Sequence, residues 1–390
     1  MQNMKQFGIF LMVTVIMLFM AGCGTKTEIE KLGIVQAMGI DMTPDGKYLV
    51  SLQLLKPQKQ SSGGSGSQKS GTEKPPTDVE FISIPGETIY SALDNLSTEF
   101  GKKINLSHIQ VVVIGEEAAR SGVTGIIDTG IRSHQFRVNT PILIAKEKAT
   151  KIISAVPSQD LIPANTIKNI LEQQSRFGYS AVITYLDFAN TLASKTTSPM
   201  AGVIDCQRTE QGDSFKIAGT AIFNKDKLIG YMDAEETRGI HWIKGKVKDG
   251  NIVIPAPGEG HVTVRVTHVS SIIKPVMFNN KPVIQATVNL EGYIREMTGK
   301  LDPIKKPELL KELDEIQNEA IKKEIDKTLY AAQKIFKADI FEFGEMIHRD
   351  YPDEWRSMKK NWNEIFPDLV IEITVNSQIQ RPGIISKPLE

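Results

Sequence analysis

The chain has 390 residues, enough for more than one hydrophobic core, and its 41% hydrophobic and 24% charged residues are an ordinary globular composition. Its 46 Lys+Arg balance 46 Asp+Glu, so the basic excess that usually marks a nucleic-acid-binding protein is missing and that class is set aside. Two cysteines, Cys23 and Cys206, are too few for a disulfide framework or a cysteine-rich zinc site.

In chain order, the first signal is a short basic region at Lys5 followed by an apolar stretch from Phe7 to Met20. At about 14 residues it is the length of a signal-peptide core and too short for a spanning helix, which needs about 20. The small residues Ala21 and Gly22 then precede Cys23, as in the lipobox of bacterial lipoproteins, and predict cleavage between Gly22 and Cys23 with S-diacylglycerol and N-acyl groups on Cys23. Two or more acyl chains would hold the protein stably on a bilayer, since each buried CH₂ contributes about 0.8 kcal/mol.

Residues 28–41 lead through the turn residues Thr43-Pro44-Asp45-Gly46 into the alternating stretch Lys47 to Leu55, which predicts a β-hairpin. Residues 57–78 are rich in Gly, Ser and Pro and read as a disordered loop. Ile89, Leu93, Leu96 and Phe100 fall at helical spacing before Gly101, and Ile109 to Gly115 reads as a strand covered on both faces. Helix is expected over 116–132, strand over Arg137 to Ala145, helix from Ala149 to Ala155 and mainly helix over 160–195. Ile217 to Phe223 and Lys227 to Met232 form a second predicted hairpin, and His241 to Val247 reads as a strand. Val262 to Val269, Val283 to Ile294 and Val370 to Ile379 alternate as strands around a long helix over 307–336. The expected organisation is a signal peptide over 1–22, an N-terminal α/β domain over 23–200, a small β-rich middle domain over 201–254 and a C-terminal α/β domain over 255–390. The fold class is mixed α/β (α+β), with mixed sheets flanked by helices.

Catalytic signatures are weak. The six histidines show no i, i+4 or His-x-His pair, so neither a metal nor a cofactor is expected. There is no G-x-S-x-G elbow, Walker A loop or dinucleotide fingerprint. Glu235-Glu236 near Arg238 reads as a helix end or turn, His348-Arg349-Asp350-Tyr351 as surface packing before a helix at Pro352, Cys206 as a buried apolar residue, and Trp242, Trp355 and Trp362 as core or interface anchors.

Several long segments carry a resemblance. EIEKLGIVQAMGID at 28–41 with DGKYLVSLQLL behind it, ETIYSALDNLSTEFGKKINLSHIQVVVIGEE at 87–117, GTAIFNKDKLIGYMDAEETRGIHWIKG at 219–245 and KADIFEFGEMIHRDYPDEWRSMKKNWNEIFPDL at 337–369 follow the lipobox at Cys23. In this order they resemble the C subunit of bacterial spore germinant receptors, the Ger(x)C lipoprotein family. The resemblance implies three mixed α/β domains and a lipid-anchored, non-catalytic subunit of the spore inner membrane. It implies two integral-membrane partners, the A and B subunits, a role in nutrient germination, and leaves open whether this subunit touches the small-molecule germinant. Met20 departs from the usual Leu of the lipobox, and the Gly/Ser loop at 61–71 is not required by the family. The alternative reading is a solute-binding lipoprotein of a membrane transporter, which predicts two similar lobes around a cleft.

Overall fold

A computed structural model describes residues 31–56, 77–158, 160–210, 212–298, 306 and 308–381. The signal peptide expected over 1–22 and the expected lipidation site Cys23 lie outside the described residues, as does nearly all of the loop expected over 57–78.

The first strand, β1 (Leu32–Met42), is apolar on both faces and becomes the centre of a sheet. Thr43 to Gly46 turn the chain back, with Gly46 at φ +82°, into β2 (Tyr48–Leu55), which pairs antiparallel with β1. β3 (Val79–Gly86) adds to β2. Helix α1 (Ile89–Phe100) starts at a capping box between Thr88 and Ser91, buries Ile89, Leu93 and Leu96 on the sheet, and ends at Gly101 in the left-handed region, where Gly has no Cβ to clash. Phe100 stays exposed.

The chain then lays β4 (Lys103–Asn105) and β5 (Val111–Gly115) parallel to β1. The helix expected over 116–132 is two, α2 (Glu116–Ser121) and α3 (Thr124–Arg132), parted at Gly122 with φ +131°. β6 (Pro141–Ala145) is parallel to β5; α4 (Ala149–Ile153), α5 (Pro163–Phe177), β7 (Ile183–Thr184) and α6 (Tyr185–Ala193) lead to β8 (Met200–Thr209), parallel to β6. β9 (Gly212–Asn224) and β10 (Lys227–Met232) extend the sheet antiparallel. Val112 and Ile114 pack into the core that includes α1, α3 and α6 on one face, while Val111 and Val113 pack with α4 and α5 on the other. Two buried faces explain why β5 reads as a continuous apolar run.

The sheet runs β10-β9-β8-β6-β5-β1-β2-β3, so the strands at 200–232 belong to the first sheet. The middle unit expected over 201–254 therefore has no sheet of its own among the described residues: Met200 to Thr209 finds its partner in β6, a parallel pairing that a local reading of adjacent hairpins does not reveal.

The stretch His241 to Val247, expected as a strand, begins instead inside helix α7 (Ala234–Ile243). Asp233 and Glu236 cap each other's backbone N–H groups at 2.8 Å, and Thr237 to Ile243 are all buried. A helix buried all round loses the 3.6-residue pattern by which helices are recognised.

The second sheet is β11 (Gly250–Pro255), β12 (His261–Phe278), β13 (Lys281–Met297) and β14 (Val370–Arg381), in that order, with β14 parallel to β13. Asn279 and Asn280, both at positive φ, make the tight β12–β13 turn. Helix α8 (Glu308–Tyr330) continues as a π-helical turn over Ala331–Phe336 and lies along the edge of β14, where Asn318 and Asp314 accept the N–H groups of Ser377 and Ile379 at 2.7 and 2.8 Å. Those side chains satisfy part of an edge that would otherwise be open to pairing. Three short helices, α9 (Phe343–Asp350), α10 (Pro352–Met358) and α11 (Trp362–Ile365), precede β14. The whole is a mixed α+β protein with two mixed sheets flanked by helices.

Candidate functional site

Open parallel sheets usually hold ligands at the carboxyl ends of their strands. Here that end has a crevice of about 730 Å³ lined by Glu116, Arg120, Glu147, Lys148 and Lys151, with Asp41 at its base. Asp41, at the end of β1, is buried and accepts hydrogen bonds from the Ala149 and Thr150 amides at 2.7 and 2.8 Å and from the Thr150 hydroxyl at 2.5 Å. The free amides that would face an anion at the start of α4 thus serve an internal carboxylate. Gly115 makes this approach possible, since a Cβ there would lie 2.0 Å from Asp41 Oδ1. Glu116–Arg120 and Glu147–Lys151 are paired with each other along their chain segments.

Two segments singled out for resemblance, 219–245 and 337–369, meet between the sheets. Arg238 of α7 is buried between the rings of Tyr179 and Trp242, with its guanidinium carbon 5.1 and 4.9 Å from their centroids. Glu324 of α8 lies 3.6 Å from Arg238 and accepts from Trp242 Nε1 at 2.7 Å. Loss of hydration pushes the Glu324 carboxyl up, opposed by Arg238. Thr328 of α8 donates to the Glu236 carbonyl at 2.7 Å beside Gly239, so α7 and α8 touch backbone to side chain.

Asp339 is the second anchor of this junction. Its buried carboxylate accepts from the amides of Phe341, Phe343 and Gly344 and from Trp362 Nε1, at 2.9 to 3.2 Å. Burial pushes its carboxyl up to about 6 against these donors and Lys244. Its own carbonyl accepts from Ser198 N, while Ser194 and Thr196 donate to Glu345, tying the connector before β8 to the second sheet's helices. Lys244 pairs with Glu342 at 3.1 Å, and a groove of about 580 Å³ remains among these groups.

The catalytic-looking residues are placed apart. Glu236 caps α7, Glu235 pairs with Lys327, and His348 stacks on Trp355 at the surface of α9. Cys206 is buried, and desolvation pushes its thiol up to about 11, away from the reactive thiolate. Trp242, Trp355 and Trp362 all belong to the second core. Among the described residues no three His, Cys, Asp or Glu side chains are grouped to hold a metal, and no helix is long and apolar enough to cross a membrane. Sequence reasoning passed over Asp41 and Asp339. The available signal was an acid set in an apolar context, GIDM and ADIF.

The family described as "Spore germination protein N-terminal domain" matches residues 25–205, and that described as "Spore germination B3/GerAC like, C-terminal" matches residues 218–383. Spore germination protein KC of Bacillus subtilis is 28% identical, covering 98% of this chain and 97% of that protein. Spore germination protein B3 of the same organism is 24% identical, covering 98% and 100%. The crystal structure of the GerBC protein superimposes with a TM-score of 0.55 at 20% identity, over 90% of this chain and all of that one, which shows the same fold.

Proposed function

The chain belongs to the spore germination B3/GerAC-like family, and from that premise we propose that it is a non-catalytic, lipid-anchored subunit of a nutrient germinant receptor. The observation that carries this reading is a likeness running from residue 25 to residue 383 directly behind a lipobox-like Met20-Ala21-Gly22-Cys23. In this reading residues 1–22 are removed, Cys23 carries the lipid, and the folded body acts as a docking or assembly component beside integral-membrane A and B subunits in the spore inner membrane. The self-satisfied Asp41 and the dispersed His, Cys and Glu residues support a scaffold rather than an enzyme. A solute-binding lipoprotein would call for two similar lobes, whereas among the described residues the sheets have ten and four strands.

The test is co-purification from spore membranes. The protein is expected to bring down two multi-span membrane proteins, with its N-terminal peptide beginning at an acylated Cys23 by mass spectrometry. Recovery of the Cys23→Ser form fully membrane-bound by itself, or of the native form without membrane partners, would overturn it.

A further inference from the structure

A second pocket, of about 560 Å³, lies at the opposite end of the first sheet, where β5 and β6 begin against α5. Its floor is a fixed amide network: Gln110 donates through its side chain to Gln36 Oε1 and Asn165 Oδ1, both at 2.8 Å, and through its backbone to the Gln36 carbonyl. His108, Arg137 and Lys168 are exposed on its walls, facing one carboxylate, Glu172. None of the three enters an ion pair with that carboxylate at 4 Å or less. The pocket is mixed, with Ile109, Pro141, Leu171 and Val182 beside the amide network, and its charged rim is cationic in balance.

Its position relative to the tether gives the pocket a partner. β1 is parallel to β5 and β6, so all three begin at this end, and β1 extends outward from Gln36 to Leu32, about 13 Å at 3.3 Å per residue. Beside that projection β4 brings Lys103, with Lys102 preceding it. Leu32 is only nine residues after Cys23, a span of at most about 30 Å. A chain moored at Cys23 therefore keeps this end of the sheet close to the bilayer.

We propose that this pocket receives the anionic headgroup of a membrane phospholipid, so that the first sheet stands on the bilayer by the end from which its tether leaves. The inference rests on the lipid at Cys23. Near an anionic leaflet each Lys or Arg strengthens binding by about fivefold, so reversing the charge of both Arg137 and Lys168 removes at least about 25-fold.

The test uses the full lipidated chain on vesicles of phosphatidylcholine alone or with phosphatidylglycerol, read by hydrogen exchange. Residues 106–110 and 137–140 should exchange more slowly on the phosphatidylglycerol vesicles. The Arg137→Glu/Lys168→Glu form should lose that protection, and the Arg137→Lys/Lys168→Arg form should keep it. Equal exchange on both vesicles, or protection that survives charge reversal, overturns the proposal. So does equal protection from inorganic phosphate on phosphatidylcholine, which would make this a free-anion site. Failure to float with phosphatidylcholine counts against the lipid at Cys23 alone, because the protection gained on adding phosphatidylglycerol vesicles still reads the headgroup site.

Discussion

Asp339 and His241 are both buried at the junction, both within the influence of Lys244, and they titrate in opposite senses. His241 Nε2 must carry the proton it gives to the Ser180 carbonyl at 3.1 Å, and burial pushes its imidazole down from 6.5 to about 4. The titrating proton is the second one, which would go to the buried and unpartnered Nδ1; the unfolded chain binds it more readily, so the His241 contribution to stability is lost as pH falls from 6.5 towards 4. Asp339, pushed up from 3.8 to about 6, holds its proton in the folded state where the unfolded chain has released it, so its contribution falls as pH rises through that window. The two contributions therefore oppose each other over the same acid window. Urea denaturation at pH 4 and pH 6 should therefore show Asp339→Asn gaining stability with pH and His241→Gln losing it, each relative to the native chain. Slopes identical to wild type in both would show that neither group titrates as its burial demands. Asp41→Asn supplies an amide that cannot accept from both the Ala149 and Thr150 amides as the carboxylate does, and should lower stability by about 1–3 kcal/mol at neutral pH, read as a lower urea midpoint.

Among elements, the contact between α7 and α8 decides more than either helix's propensity. Alanine at Gly239 would favour helix by about 1 kcal/mol. Its Cβ, however, would stand 1.9 Å from Thr328 Oγ1 and 2.7 Å from the Glu324 carbonyl oxygen, and the Thr328 hydroxyl is already engaged with Glu236 and Glu324. Overpacking of this kind costs about 1–3 kcal/mol, and separating the helices also loosens Arg238 from Glu324. Gly239→Ala should unfold at lower urea than wild type; a rise in its midpoint would mean that α8 can move away freely. The Lys327 pairs with Asp233 and Glu235 contribute little by comparison, being half in water. Legibility at this scale followed exposure. Helix α1 was readable because one face meets solvent and its ends carry Thr88 and Gly101, whereas α7 was misread at its C-terminal half because no face does.

At the scale of the molecule, the two sheets share a junction built from Arg238, Glu324, Asp339 and Glu345, and the three tryptophans all report from the second core. Tryptophan fluorescence therefore follows the second sheet, while far-ultraviolet circular dichroism follows both. Coincident urea transitions by the two probes are expected if the junction couples the sheets, and separated midpoints would show that they unfold independently. What the amino-acid order determined by itself is local: the apolar stretch from Phe7 to Met20 ahead of Cys23, the β1–β2 turn at Thr43 to Gly46, most of the strand and helix periods, and the segments that mark the family. These signals act over a few residues, through φ preferences, alternation and composition. Tertiary structure alone decided that β8 to β10 complete the first sheet, that Asp41 closes the crevice at the strand ends, and that Asp339 gathers four donors from α9, α11 and the turn before them. Each depends on partners tens to more than a hundred residues away or on complete burial, and neither leaves a period in the sequence.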